Sequence, residues 1–409
     1  MRRRKVLTGV SGTILYCVIF ALFLTALVYY QNVPVYQALP TPEQTTPNNT
    51  ETPTPTPEST PNPNPYPDPS EPNVTETPPI NYDLVYELPI NGATGFALLS
   101  MGLRESPDVN SNAMANIAPG GAFRIISAQG NWWNVEYSGR TGWVDNTFCM
   151  INLPDIIPSI IYSNPNHGGA EFRSSGYHLP GITNQQLYNA ISHNNRFGKQ
   201  QYIMPVLYST AIKVYNAQRA ALSNGDSLRI YETFRPLSVQ RNVSNSLRTL
   251  MDTNATVSSG INVGGWNIGW FISQSVSTHQ MGAAIDASLV RVVEYETRTT
   301  GGHSYRVITR YTNHTMPTRI HELSARAVVL VRGANWNQGA GWENVAFAPT
   351  MTDGARRLHN LFVNAGFVPL ASEWWHFDDI EGRDTIRGHG ITGNFYLRNC
   401  VSAEPNINI

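Results

Sequence analysis

The stretch Ser277-Thr278-His279-Gln280-Met281-Gly282-Ala283-Ala284-Ile285-Asp286 carries two metal-ligating side chains, His279 and Asp286, seven positions apart. On a straight helix seven residues rise about 10.5 Å, too far for both to reach one ion. On a straight strand an odd spacing puts the two side chains on opposite faces. One ion can take both only if the chain turns back between them. Gly282 stands in the gap and tolerates backbone angles that other residues avoid. Ala283, Ala284 and Ile285 are small or apolar, as expected of backbone entering a packed interior. A third ligand is available downstream, in Glu373-Trp374-Trp375-His376. Two nitrogens and one carboxylate leave a fourth position open, which distinguishes catalytic zinc from closed structural zinc.

Ten histidines and 29 acids produce some His/Asp pairs by chance, so the order of the motifs matters more than the pair. Ser-x-His-(x)6-Asp, followed about 90 residues later by Glu-x-x-His, resembles the zinc D-alanyl-D-alanine peptidases. That family holds the DD-carboxypeptidases and the D-Ala-D-Ala dipeptidases of vancomycin resistance, and is related to the lysostaphin and hedgehog group. The resemblance spans roughly residues 155–400. It implies an α+β fold, an antiparallel sheet with flanking helices. It implies zinc held by His279, Asp286 and His376, with Glu373 as the base that takes a proton from water and delivers it to the leaving amine. Phe234-Arg235-Pro236 with Gln240 resembles the family's arginine motif. A guanidinium has parallel donors and a permanent charge, so Arg235 is expected to bind a substrate carboxylate or to steady the oxyanion. Ser277, Gln240 and Trp374 are the candidate substrate contacts. For Ser277 the alternative is a buried hydroxyl that satisfies backbone. Of Trp374 and Trp375, one is expected to wall the pocket and the other to be core.

Met316-Pro317-Thr318-Arg319-Ile320-His321 departs from the resemblance. The dipeptidases carry an acid, thought to hold the free amine of the dipeptide, where this chain has His321. The departure counts against dipeptidase activity. A cleft-facing or a structural histidine is equally compatible.

Working outward, residues 1–5 form a basic tip, Met1-Arg2-Arg3-Arg4-Lys5, and residues 6–30 contain no charge. About 25 such residues suffice to cross a hydrocarbon core of about 30 Å. Basic residues ahead of the span keep the N-terminus cytoplasmic and place the rest outside. A cleaved signal peptide is the alternative, but Leu27-Val28-Tyr29-Tyr30 makes a poor cleavage site. Residues 31–80 are a Pro/Thr-rich linker that cannot bury a core and favours polyproline II. Fully extended, the linker reaches on the order of 140 Å, a tether into a surrounding wall.

Residues 81–154 read as a small β domain. Leu103-Arg104-Glu105-Ser106-Pro107 opens it, and Asn131-Trp132-Trp133-Asn134-Val135-Glu136-Tyr137 precedes a Ser138-Gly139 hairpin turn. Thr141-Gly142-Trp143-Val144 closes it. These stretches resemble the bacterial SH3-like domain, which implies a wall- or peptide-binding module. A spacer domain with Trp133 and Trp143 in its core is the alternative.

In residues 155–409, 185–191 and 206–222 carry helical patterning, and Asn224-Gly225 stops the second helix. Residues 228–233 read as a strand; Ser238 caps a helix to about 250; a hairpin turns at Gly301-Gly302; Asp353 caps a helix ending at Gly366. A net charge of -1 gives no reason to expect nucleic acid as a partner. Of three cysteines, Cys17 lies in the apolar run, and Cys149 and Cys400 are either bridged or free.

The expected function is a membrane-anchored, extracytoplasmic zinc DD-carboxypeptidase that removes the terminal D-Ala of peptidoglycan stem peptides. The alternatives are a D-Ala-D-Ala dipeptidase, a cross-bridge endopeptidase and a non-catalytic wall-binding protein.

Overall fold

A computed structural model of the chain describes residues 86–334 and 341–397. The expected membrane anchor, the linker and Cys400 lie outside the described residues. Among the described residues no helix is long and apolar enough to cross a membrane.

Seven strands come first: β1 (Thr94–Ala97), β2 (Met101–Arg104), β3 (Ala113–Ile117), β4 (Ala122–Gln129), β5 (Trp132–Tyr137), β6 (Arg140–Asp145) and β7 (Cys149–Asn152). Strand β5 alternates: Trp133 and Val135 point inward, against Ile125 and Val144 of its neighbours. The β5–β6 turn sits at Ser138 and Gly139, both at positive φ (50° and 73°), the two-residue turn whose twist suits a hairpin. After the short helix α1 (Leu153–Ile156) and β8 (Ile161–Tyr162) come two small hairpins, β9 (Arg173–Ser174) with β10 (Tyr177–His178) and β11 (Ile191–Asn194) with β12 (Lys199–Tyr202). Strand β13 (Pro205–Leu207) then pairs with β7, so the first sheet has eight strands in the order β13-β7-β1-β4-β5-β6-β2-β3. Trp133 meets Tyr208, just after β13, edge to face at 4.9 Å.

Helix α2 (Tyr208–Ser223) buries Ala211, Val214, Ala217, Gln218 and Ala221, one face at 3.6-residue spacing. It begins two residues later than the pattern suggests, because Val206 and Leu207 bond to β7. Strand β14 (Asp226–Glu232) leads into α3 (Leu237–Thr253), α4 (Ala255–Ile261), α5 (Ile268–Phe271) and the single turn α6 (Thr278–Met281). The long hairpin β15 (Ala284–Thr300) and β16 (His303–Asn313) follows, then α7 (Asp353–Asn364), β17 (Val368–Pro369), β18 (His376–Asp378) and α8 (Ile380–Gly388). The second sheet runs β17-β18-β15-β14-β8, with β16 on β15; all its pairings are antiparallel except β14–β8. The fold is thus mixed α+β.

Three local expectations are corrected. Residues 185–191 form no helix. Leu187, Tyr188 and Ala190 are all buried rather than one face of them, and the amides of Leu187 and Tyr188 donate to the Asn166 carbonyl. Helix α3 starts at Leu237 with Pro236 at its cap position, so Ser238 is already inside it. Thr352, not Asp353, caps α7, its hydroxyl accepting from the Ala355 amide.

Helices α2 and α7 pack against β14 and β15. Phe362 of α7 stacks on Phe377 of β18 (4.1 Å, 6°), and Phe377 is the register partner of Ile285. Directly paired residues share a face of the sheet. The next pair along, Asp286 and His376, therefore faces the other way, away from α7.

Candidate metal centre

Glu232, Asp286 and His376 form one cross-strand row: Glu232 pairs with Asp286, and Asp286 with His376. His279 arrives from α6, which ends at Gly282 in the left-handed conformation (φ 71°). That residue is the turn-back needed to bring His279 over the start of β15. A Cβ at Gly282 would lie 2.5 Å from Met150 Cε and 3.2 Å from the Leu207 backbone nitrogen. Both the conformation and the space demand glycine.

One nitrogen or oxygen from each of His279, Asp286 and His376 falls within 4.8 Å of the other two, and all three residues are buried. The outer contacts fix which atoms face inward. His279 Nδ1 lies 2.7 Å from the Thr233 carbonyl oxygen and so donates its hydrogen there. Its Nε2 is then an acceptor, and it is buried with no hydrogen-bond partner. Such an orphan costs about 1–3 kcal/mol unless something occupies it. His376 Nε2 lies 2.9 Å from Asp378 Oδ1, and its Nδ1 points at Asp286 Oδ1 at 3.0 Å. A carboxylate behind an imidazole is the support expected of a metal-ligating histidine. The residues present therefore fit a divalent cation with a two-nitrogen, one-oxygen set, for which zinc is apt.

Electrostatics point the same way. Burial alone would raise the Asp286 carboxyl, yet His279, His321 and His376 hold it well below the usual carboxylate range. Burial opposes charge on His376, but Asp378 and Asp286 push the imidazole well above its ordinary value. The cluster attracts positive charge. Glu373 lines the same cleft, and burial pushes its carboxyl up to about 8, with Asp286 adding and His376 and Arg235 opposing. A neighbouring divalent cation would draw it back down.

Glu232, Asp286 and His321 are also close enough to share an ion. They do not make a second cation site. Glu232 already accepts from Asn166 Nδ2 (2.7 Å), Tyr188 Oη (2.6 Å) and Arg235 Nε (2.9 Å). Arg235 Nη2 bonds both Glu232 and Asp286, the latter at 3.0 Å, so a guanidinium already supplies the charge. His321 stacks on Phe172 (4.3 Å) and places Nε2 3.2 Å from Asp286 Oδ2. His321 thus lines the cleft and at the same time supports the candidate ligand Asp286.

The candidate substrate contacts divide. The Gln240 amide uses all its capacity within the chain. It donates to the carbonyls of Ser273 (3.1 Å) and Ser275 (3.2 Å) and accepts from Ser277 Oγ (2.9 Å) and Gln280 Nε2 (3.2 Å). Gln280 in turn donates to the Arg235 carbonyl at 2.7 Å and accepts from the Ser277 amide at 2.6 Å. Gln240 and Ser277 line the cleft, but their bonds hold α6, and hence His279, in place. Trp374 is corrected: it is buried behind the site with Nε1 donating to Thr318 Oγ1 (2.9 Å), and Trp375 walls the cleft.

The cleft has a volume of about 230 Å³. One wall is Trp270, Phe271 and Ile272, from the Gly- and Trp-rich stretch Val263-Gly264-Gly265-Trp266-Asn267-Ile268-Gly269-Trp270 and the two residues after it. Arg383 and Arg387 of α8 line it too. Asp378 was legible in principle: two residues after His376 on one strand, it shares its face. Glu232 and the α8 arginines carry no sequence signal that separates them from ordinary charged residues.

Cys149 is a free, buried thiol; burial and Asp145 push its pKa up.

Comparison with known proteins is informative for the first sheet. Residues 100–148 match the bacterial SH3 domain family. The match takes in β2 to β6, while β1, β7 and β13 complete the sheet from outside it. No curated protein matches the chain.

Proposed function

We propose that this chain is an extracytoplasmic zinc D-alanyl-D-alanine carboxypeptidase that trims the stem peptides of peptidoglycan. In this reading its SH3 domain engages the wall, residues 6–30 anchor it in the membrane, and residues 31–80 set its reach. The observation that carries the proposal is the orphaned Nε2 of buried His279, facing Asp286 and His376 beside Glu373 in an open cleft.

A zinc ion held by His279, Asp286 and His376 would polarise the scissile carbonyl and acidify the attacking water. The chain's own groups do the rest. The Glu373 carboxylate takes the proton from the water as its oxygen bonds to the carbonyl carbon. It returns that proton to the amine nitrogen as the C–N bond breaks. Arg235 has Nε and Nη2 engaged by Glu232 and Asp286, so it orients the Asp286 ligand and keeps positive charge near the developing oxyanion. Trp375, Trp270 and Phe271 wall the cleft against water. His321, bonded to Asp286 where a dipeptidase carries an acid, favours a peptide without a free amine at that place.

Product analysis tests the reading. The full chain is offered a pentapeptide ending in D-Ala-D-Ala, the free dipeptide and cross-linked muropeptides, with and without chelator. Chelator-sensitive release of D-Ala from the pentapeptide alone is expected, and Glu373→Ala should abolish it. Binding to isolated wall without any turnover favours the second reading, a non-catalytic wall-binding protein, which the SH3 match supports by itself.

A further inference from the structure

A carboxypeptidase must recognise a free terminal carboxylate, and Arg235 is poorly placed to do so. Its Nε and Nη2 are engaged by two buried carboxylates. A paired grip on a third would need Nη2 whichever edge of the guanidinium is used, and Nη2 already bonds Glu232 and Asp286. Helix α8 offers an alternative. Arg383 and Arg387 are four residues apart, so they share a helix face, and both line the metal-centre cleft. Arg383 is buried and bonded to Asp384 through Nε (2.8 Å) and Nη2 (2.6 Å). Arg387 is exposed at the cleft, and its guanidinium forms no hydrogen bond or ion pair among the described residues. The other charged groups lining the cleft are Arg235, Glu373 and Asp378. Arg235 is spent on Glu232 and Asp286, which leaves the exposed Arg387 to meet an incoming anion. The cleft of about 230 Å³ is smaller than the pockets of drug-sized ligands, and suits a chain end of one or two small residues.

We propose that Arg387, supported by Arg383 one turn before it, is the anchor for the substrate's terminal carboxylate, and that Arg235 serves as a positioning residue. The assignment rests on the carboxypeptidase reading. It orients the peptide with its free end toward α8.

The test uses the full chain carrying Glu373→Gln, so that bound peptide stays intact, loaded with zinc. Titration calorimetry compares the pentapeptide ending in D-Ala-D-Ala with the same peptide as its C-terminal amide. The acid is expected to bind at least about tenfold more tightly, the value of one charge-assisted hydrogen bond. Adding Arg387→Met should erase that preference, and Arg387→Lys should keep part of it. Equal binding of acid and amide, binding of neither, or an acid preference that survives Arg387→Met overturns the assignment. Release of D-Ala by the unmodified protein is measured in parallel. An Arg387-dependent acid preference without any release leaves the anchor standing and removes the hydrolytic reading. Release without that dependence removes the anchor alone.

Discussion

Arg235→Met tests how the centre is held together. The Arg235 guanidinium lies between the carboxylates of Glu232 and Asp286, all three buried. Burial opposes charge on Glu232, but Arg235 holds its carboxyl below the usual range. Methionine fills similar volume and removes the cation, leaving two carboxylates facing each other in a poorly solvated place. Breaking a buried pair from one side costs about 3–5 kcal/mol. For a unit of roughly 300 residues that lowers the thermal midpoint by about 5–8 °C. Glu232→Gln in the same chain removes one stranded charge, and Asn166 and Tyr188 remain to bond the amide. The double variant should therefore recover about half of the loss or more. An ion bound a thousandfold above its Kd adds about 4 kcal/mol to parent and variants alike, so the differences are read in chelator. Chemical and thermal unfolding read these differences. An Arg235→Met protein within 1 kcal/mol of the parent in chelator, or a double variant no better than the single one, would refute the reasoning.

Three further outcomes follow from particular contacts. Asp378→Asn weakens the support behind His376 Nε2, and should lower zinc affinity roughly 10- to 100-fold in a competition titration while leaving the circular dichroism spectrum unchanged. Gly282→Ala forces an alanine into the left-handed region against Met150 and the Leu207 backbone. It should cost at least about 1–2 kcal/mol from conformation alone, read by urea unfolding, and lower zinc affinity as His279 shifts. Glu87 accepts from the Ser159 amide at 2.9 Å, and burial raises its carboxyl from 4.5 to about 7. Between those two values the folded chain holds a proton that the unfolded chain has lost. This contribution is full below about pH 4.5 and falls away as the pH climbs to about 7, by on the order of 3 kcal/mol. Unfolding across that range should show the slope, and Glu87→Gln should flatten it.

What the sequence discloses depends on how local the cause is. The Ser138-Gly139 and Gly301-Gly302 turns were readable because positive φ leaves its mark on two residues. The convergence of His279, Asp286 and His376 was readable too, because only a turn-back at Gly282 lets two of them meet. Residues 185–191 carry a helical pattern without forming a helix because Leu187, Tyr188 and Ala190 are all buried, and the amides of Leu187 and Tyr188 bond to the carbonyl of Asn166, far back in the chain. Trp374 and Trp375 are adjacent and identical in type, so which one reaches the cleft is set by how the loop before β18 sits on Thr318. The positioning roles of Gln240 and Ser277 depend on hydrogen bonds spanning 37 residues, which no window of sequence contains. The continuity of the first sheet through β13 was equally hidden, since three residues of strand carry too little pattern to separate from the helix that follows.

The most direct measurement is X-ray absorption at the zinc edge on chelator-stripped full chain reloaded with the metal. One zinc per chain is expected, with a first shell of two imidazole nitrogens and carboxylate oxygen, and His279→Ala should abolish it. A reloaded chain that binds no zinc, or binds it with an unchanged spectrum after His279→Ala, would contradict the account at its root.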